Sequence, residues 1–193
     1  MLSKSNLLPH QTMVLEKAKT APHLGLFMEC GLGKTVTALT IIEESPKGAT
    51  LVIAPKRVAE SVWAQECANW KHLSSMKVGK IMGSPSQRLK VLQSSLDVYV
   101  INLENVAWLI DNWIDNKFQY LIVDESSRFK DPSTKRFKAL KKVLKQFQRR
   151  IILTGTPTPQ GYADLWAQVG LLDLGERLET SITRFREKFM YVA

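Results

Sequence analysis

Cysteine, histidine and long apolar runs are scarce in this 193-residue sequence, and each shortage excludes a class of protein. Cys30 and Cys67 cannot form a disulfide framework or a zinc quartet. The three histidines show no metal-ligand spacing, so a structural metal is not expected. No apolar run approaches the roughly 18–20 residues that span a membrane, and the N-terminus lacks the apolar stretch of a signal peptide. These absences predict a soluble, cytoplasmic protein with reduced thiols and no membrane partner.

Acidic residues are scarce in one segment, which we call the basic segment. Residues 128–150 hold ten lysines and arginines and one acid, Asp131, whereas the other 170 residues hold 17 basic and 17 acidic groups. The whole formal net charge of +9 therefore lies there. Its apolar residues recur at helical spacing and are expected to face a core: Phe137, Leu140, Leu144 and Phe147. Its lysines form a second stripe: Lys135, Lys138, Lys142 and Lys145.

The lysine stripe has two interpretations. A solvated helix face is one, but such faces usually carry interspersed acids, and none occurs between residues 132 and 150. A polyanion-binding face is therefore favoured, with Lys138, Lys142 and Lys145 as candidate DNA contacts. Binding of this kind falls steeply with salt, because counterions are released from the DNA.

Short apolar runs alternate with amphipathic runs along the rest of the chain. The apolar runs predict six strands: Leu24–Met28, Thr50–Ala54, Val78–Met82, Val98–Asn102, Tyr120–Asp124 and Ile151–Thr154. The amphipathic runs predict helices that begin near Lys34, Arg57, Ser86, Leu103, Ser133 and Tyr162. Because the strands are continuously apolar, a parallel sheet buried on both faces is favoured. We expect a single domain over residues 1–193, an open α/β sheet with ligands at the carboxyl ends of its strands.

A glycine-containing turn joins the first predicted strand to a helix in LGLFMECGLGKT, residues 24–35. Gly31 and Gly33 allow a tight turn that directs backbone N–H groups at phosphate oxygens, next to the partial positive charge of the helix N-terminus. Lys34 is predicted to reach the β- and γ-phosphates, and the Thr35 hydroxyl to bind Mg²⁺. The generic pattern is incomplete, since Met28 stands where it has a glycine.

Two adjacent acids follow another predicted strand in YLIVDESS, residues 120–127. Asp124 is predicted to hold Mg²⁺, and Glu125 is predicted to activate the attacking water. Phosphoryl transfer needs both tasks near the γ-phosphate. The pair alone is a weak signal, but the phosphate loop about 90 residues upstream makes it a strong one.

Together with IILTGTPTP, residues 151–159, these motifs resemble those of the first motor lobe of superfamily 2 helicases. The resemblance is greatest to the compact Snf2-like ATPases of bacteriophages. It covers nearly the whole chain and rests on six segments: Leu8–Gln11, Gly31–Thr35, Leu51–Glu66, Tyr99–Val106, Asp124–Ser126 and Leu153–Asp173. The last segment is typical of Snf2-like proteins rather than RNA helicases. The resemblance implies a RecA-like P-loop NTPase fold, with an open, mostly parallel sheet between two layers of helices.

The resemblance also implies an ATP site that uses ATP and Mg²⁺. In it Gln11 reads adenine, and Lys34 and Glu125 carry the catalysis. The phosphates lie on the residues of the loop: Gly31, Leu32, Gly33, Lys34 and Thr35. Asp124 completes the Mg²⁺ site.

The resemblance further implies a duplex-DNA partner. Lys56 and Arg57, which follow a strand end, are the expected backbone contacts, with a solvated capping turn as the alternative. Three residues of a second strand end are expected to relay the nucleotide state to DNA, or simply to cap the turn: Thr154, Gly155 and Thr156.

The sequence departs from the family pattern in three ways. Ser127 replaces the histidine that links the ATP site to motor coupling, and Met28 replaces an acid that is common before the loop. No segment is a second copy of the sheet, so the partner lobe that carries the family's arginine fingers is not expected within this chain. Residues 178–193 are expected to form a helix that leads toward that lobe. The isolated chain is therefore expected to hydrolyse ATP weakly or not at all.

These observations predict the N-terminal ATP-binding lobe of a Snf2-family DNA-dependent ATPase and translocase. If the phage resemblance holds, it acts in the cytoplasm of a bacterial host cell. Two alternatives stay open, namely a non-catalytic nucleic-acid-binding module on a helicase fold and an RNA helicase lobe. The intact loop and acidic pair argue against the first, because a binding module needs neither.

Overall fold

A six-stranded parallel sheet forms the centre of the computed structural model, which describes residues 1–190. The strands are β1 (His23–Phe27), β2 (Ala49–Ala54), β3 (Val78–Ile81), β4 (Val98–Asn102), β5 (Phe118–Asp124) and β6 (Arg149–Thr154). Their order across the sheet is β1-β6-β5-β2-β4-β3. All six predicted strands are confirmed to within two residues at each end. The continuous apolar runs were a sufficient signal because both faces of the sheet are covered.

Helices connect and flank these strands. They are α1 (Pro9–Thr20), α2 (Lys34–Glu43), α3 (Lys56–Asn69), α4 (Pro85–Gln93), α5 (Val106–Asp111), α6 (Lys135–Lys141), α7 (Asp164–Asp173) and α8 (Ile182–Phe189). The sequence analysis did not predict α1. Its buried residues, Gln11, Leu15 and Ala18, have helical spacing, but a glutamine stands in the apolar stripe and the rest of the helix is polar or exposed.

The core lies in two layers, one on each face of the sheet. Helices α1, α2 and α3 cover one face with side chains such as Leu39 and Trp63. Helices α4, α5, α6 and α7 cover the other with side chains such as Leu109 and Leu171. Strand β2 sends alternate residues into the two layers, which gives the three-layer arrangement expected from the sequence.

The basic segment folds as a short helix and a turn rather than as one long helix. Helix α6 ends at Lys141, and the chain then forms a 3₁₀ turn over Leu144–Gln146 before it enters β6. The predicted apolar stripe is nevertheless buried: Phe137, Leu140, Leu144 and Phe147. The predicted lysine stripe is exposed: Lys135, Lys138, Lys142 and Lys145. The buried apolar residues keep helical spacing beyond the end of α6, because the 3₁₀ turn keeps the same side of the chain facing the core.

The C-terminal part of the chain also contains the expected helix, but α8 begins at Ile182 rather than at residue 178. Phe185 of α8 is buried, and Lys188 forms an ion pair with Glu179 at 2.6 Å. The last residues of the predicted helix, 191–193, lie outside the described residues. Within residues 1–190, none of the helices has the length and apolar character needed to cross a lipid bilayer.

Candidate nucleotide and nucleic-acid site

The carboxyl edge of the sheet gathers the predicted motifs in a fixed order. The phosphate loop follows β1, Thr154 ends β6, Asp124 ends β5, and Lys56 follows β2. Because β6 lies between β1 and β5, the residues after Thr154 lie between the phosphate loop and the acidic pair. In open parallel sheets this edge is where ligands bind.

The phosphate loop has the backbone that its glycines predict. Gly31 and Gly33 adopt positive φ angles of 83° and 72°, which side chains disfavour, and α2 begins at the next residue. The Lys34 ammonium donates hydrogen bonds to the backbone oxygens of Met28 at 2.8 Å and Glu29 at 3.0 Å. The lysine therefore braces the loop from inside, and it must exchange these carbonyls for phosphate oxygens when a nucleotide binds.

Gln11 packs directly against this loop. Its side chain is 4% exposed, its Oε1 accepts a hydrogen bond from the Leu8 amide at 2.7 Å, and its Nε2 lies 3.4 Å from the Leu32 oxygen. A β-carbon added to Gly33 would lie 2.1 Å from Nε2, so a glycine is required there. Nε2 also lies 3.5 Å from the Gly33 oxygen, so both of its hydrogens point at loop carbonyls, and the adenine-reading role stays a prediction. The sequence analysis did not find His10, whose ring Nε2 lies 3.0 Å from the Leu32 oxygen.

A cavity of about 770 Å³ opens beside the phosphate loop and is large enough for a purine nucleoside. The loop glycines and Gln11 form one wall, and Glu66 and Trp70 at the end of α3 form another. The N-terminal segment closes it, because Leu2 pairs with the backbone on both sides of Trp70. No sequence pattern predicted this wall, since the two segments that pair in it, at Leu2 and Trp70, lie almost 70 residues apart.

Asp124 is a buried carboxylate with two donors. It accepts hydrogen bonds from the Glu125 amide at 2.9 Å and from Trp63 Nε1 at 3.3 Å. Burial nevertheless raises the pKa of Asp124 to about 6, against the opposing effects of these two hydrogen bonds and of the Lys34 charge. The sequence analysis missed the contact of Trp63 with this acid.

The donor set at this edge fits Mg²⁺ better than a protein-only metal site. Within residues 1–190, no three His, Cys, Asp or Glu side chains cluster closely enough to hold an ion by themselves. Mg²⁺ typically takes one or two protein oxygens and completes its shell with water and substrate phosphates. The Asp124 carboxylate and the Thr35 hydroxyl at the start of α2 are the oxygens suited to that arrangement.

Glu125 is held in an unusual conformation. Its φ angle of 54° is left-handed, a strained backbone for a residue other than glycine. One carboxylate oxygen, Oε1, accepts hydrogen bonds from Ser127 Oγ at 2.8 Å and Thr154 Oγ1 at 3.0 Å. The Thr156 amide in turn donates to Thr154 Oγ1 at 3.1 Å. Ser127, which stands where the family resemblance has a histidine, therefore still forms a hydrogen bond with Glu125.

Gly155 brings the end of β6 against the phosphate loop. A β-carbon at this position would lie 3.5 Å from the Met28 oxygen and 3.7 Å from the Cys30 nitrogen. The three predicted coupling residues, Thr154 to Thr156, thus contact the acidic pair on one side and the phosphate loop on the other. Their geometry suits a relay, and that role stays a prediction.

The candidate DNA contacts fall into two places. Lys56 and Arg57 are exposed at the carboxyl edge, where α3 begins. The chain of the basic segment runs from the carboxyl end of β5 back to the start of β6, so Lys142 and Lys145 lie toward the opposite edge. The structure therefore does not bring these lysines together with Lys56 and Arg57.

Arg88 adds a cation near the carboxyl edge that the sequence analysis missed. Its Nη1 donates to Asn105 Oδ1 at 2.8 Å, and its guanidinium carbon lies 4.3 Å from the centre of a Trp108 ring. Asn105 and Trp108 follow β4, and Asn105 lies in Tyr99–Val106, one of the segments that carry the family resemblance. In the sequence Arg88 is a single arginine in a polar run, and no pattern there indicates a functional role.

Comparison with known proteins decides the family, since residues 12–191 match the family model for the SNF2-related domain. The chain belongs to the SNF2-related domain family. This SNF2-related domain is 35% identical to "putative protein p41" of Acyrthosiphon pisum secondary endosymbiont phage 1, over 94% of the chain and 42% of that protein. It is 31% identical to a SWI/SNF-related subfamily A-like protein 1 of Xenopus tropicalis, over 86% of the chain and 17% of that protein.

A solved structure supports the same assignment for the fold. The Sulfolobus solfataricus SWI2/SNF2 ATPase core, determined in complex with dsDNA, superposes on the SNF2-related domain with a TM-score of 0.80 and 26% identity. The match covers 96% of this chain and 39% of that chain. The predicted family and the RecA-like fold are confirmed, and the chain spans less than half the length of these relatives.

Proposed function

We propose that this SNF2-related domain is the N-terminal ATP-binding lobe of a DNA-dependent ATPase that moves along duplex DNA. The observation that carries the proposal is the convergence at one sheet edge of a phosphate loop braced by Lys34, the buried Asp124 and the hydrogen-bonded Glu125. A binding module that did not hydrolyse ATP would need none of these three features.

The residues of the lobe divide the work of phosphoryl transfer. Lys34 leaves the carbonyls of Met28 and Glu29 and neutralises phosphate charge. Thr35 and Asp124 would hold Mg²⁺, which would neutralise the charge that develops on the transferred phosphate. Glu125 orients the attacking water and accepts its proton. Catalysis of phosphoryl transfer is mostly positioning and charge stabilisation. The side chains at the carboxyl edge of the sheet are already held in place for both tasks.

Full activity requires a second RecA-like lobe, from the same gene or from another chain. An arginine supplied from outside this lobe stabilises the transition state and typically contributes roughly 10³–10⁵ in rate. We therefore expect the 193 residues alone to bind Mg-ATP but to hydrolyse it weakly or not at all. If the protein is phage-encoded like its relative, it acts in the cytoplasm of a bacterial host.

Duplex DNA is the proposed track, supported by the exposed Lys56 and Arg57 and by the DNA-bound state of the Sulfolobus neighbour. The test is a competition at low salt, in which a labelled DNA duplex bound to the chain is displaced by unlabelled DNA or RNA of the same sequence. We expect DNA to compete more strongly. RNA that competes equally or better would favour the RNA helicase alternative and would contradict the proposal.

A further inference from the structure

Gln168, in the middle of α7, is a fully buried polar side chain with 0% exposure. Its neighbours on the helix that face the core, Ala167, Leu171 and Leu172, are apolar. Burying an amide without hydrogen bonds is costly, so an unpaired glutamine here would be strongly unfavourable. The Gln168 amide therefore needs hydrogen-bond partners within the protein.

Both ends of the amide are paired, and they join three parts of the site. Oε1 accepts a hydrogen bond from Ser126 Oγ at 2.8 Å, and Ser126 is itself fully buried. Nε2 donates to the backbone oxygens of Pro157 at 2.6 Å and Asp164 at 2.9 Å. One side chain thus connects the turn after the acidic pair, the loop after β6 and its own helix.

These contacts lie one residue away from the reacting groups. Ser126 follows Glu125, whose strained backbone is fixed at its amide by Asp124. Pro157 follows Thr156, whose amide is bound to Thr154 Oγ1 and through it to the Glu125 carboxylate. The loop after β6 is therefore connected to Glu125 twice, at consecutive residues.

We propose that Gln168 is a positioning residue that transmits the state of the acidic pair to loop 156–163. Two connections at adjacent residues force the loop to follow any shift of Glu125, whereas a single connection would allow it to pivot. The loop ends in an exposed tip, where Tyr162 is 77% exposed and available to a nucleic acid or a second lobe. An apolar side chain of the same size would pack α7 equally well but would leave the loop uncoupled. This proposal rests on the nucleotide site of the proposed function.

The test is amide hydrogen exchange of the chain, with and without Mg²⁺ and a non-hydrolysable ATP analogue. In the unsubstituted protein we expect nucleotide to change exchange in loop 156–163 by about fivefold or more, the lower end of typical allosteric couplings. Gln168→Met keeps the size of the side chain but removes both connections. Ser126→Ala removes one of them from the other side and serves if Gln168→Met does not fold. Both variants should bind the analogue within about twofold of the unsubstituted affinity and lose the response of the loop.

A control on the same helix separates positioning from stability. Leu172→Val removes one buried methylene and should lower stability slightly, but it breaks no polar connection and should keep the loop response. A loop response that survives Gln168→Met or Ser126→Ala would overturn the proposal. So would its absence from an unsubstituted protein that binds the analogue. Failure to bind the analogue at all would instead overturn the proposed function, and this inference with it.

Discussion

Asp124 shows how a single residue in this site is placed for function at a cost in stability. Its carboxylate is largely buried, and burial raises its pKa to about 6 despite the hydrogen bonds from Glu125 and Trp63. In the unfolded chain the same group has a pKa near 4, so the folded protein holds the proton more tightly. The folded state without a bound cation is therefore least favoured where Asp124 is ionised.

The corresponding prediction concerns Asp124→Asn. The native state binds the extra proton between about pH 4 and 6, so the free energy of unfolding should fall as pH rises through that window and stay low above it. The asparagine does not ionise, but it keeps only one of the two accepted hydrogen bonds. We expect the variant to be about 1–2 kcal/mol more stable than the unsubstituted protein at pH 7.5, and its advantage to vanish near pH 4.

Urea denaturation at several pH values measures this difference. Asp111→Asn, at an exposed position on α5, is the matched control and should leave the pH profile unchanged. An Asp124→Asn variant that is less stable than the unsubstituted protein at pH 7.5 would show that the charge is already compensated.

Single residues also mark the limit of what the sequence predicts. Lys34 and Asp124 were found because local spacing and strand context carry the signal. Trp63 and Gln168 were not, because their partners lie 61 and 42 residues away in the chain. A buried glutamine looks like a surface residue in a sequence, and the polar partner of a buried tryptophan is recognised only from its contacts.

Helices were predicted less completely than strands. The strands, α2 and α3 follow directly from apolar runs and glycine or proline boundaries. Helix α1 was missed because Gln11 occupies its core-facing stripe, where its side-chain amide packs against the phosphate loop. The basic segment was assigned one continuous stripe, although α6 ends at Lys141, since a 3₁₀ turn can keep the same face inward. Local patterns report which side is buried more reliably than where a helix ends.

The two groups of basic residues give a prediction at the level of elements. The measured quantity is the slope of the logarithm of the DNA-binding constant against the logarithm of the salt concentration. Each lost phosphate contact reduces its magnitude by roughly 0.9, so neutralising Lys56 and Arg57 should reduce it by about two. Neutralisation of Lys138, Lys142 and Lys145 should reduce it further, by up to about three. The two effects should add, because the groups lie at separate places on the molecule.

Fluorescence anisotropy at a series of salt concentrations gives these slopes. The charge-matched control replaces three exposed lysines elsewhere, Lys17, Lys47 and Lys71, and should change the slope little. A slope that the variant of the basic segment leaves unchanged would identify that segment as a solvated face.

For the molecule as a whole, the sheet order decides which motifs meet. The sequence predicts the strands but not the insertion of β6 between β1 and β5, and this insertion places Thr154 within reach of Glu125. Gly155 then contacts the phosphate loop. The predicted nucleotide site and the predicted coupling residues therefore lie side by side at one edge. Since the relatives are more than twice as long as this chain, we propose that the edge completes its catalytic site with a second lobe.

The most direct test of the account is the equilibrium binding of Mg-ATP, measured by calorimetry for the unsubstituted chain and for Lys34→Ala. The Lys34 ammonium donates to two backbone oxygens of its own loop, so its removal should lower the free energy of unfolding by about 1–3 kcal/mol and leave the chain folded. The loss of its charge-assisted hydrogen bonds to phosphate should weaken Mg-ATP binding by at least about tenfold. The account predicts clear binding to the unsubstituted chain and its loss in the variant. Equal affinity for the two proteins would contradict the assignment of the phosphate loop, and with it the central claim.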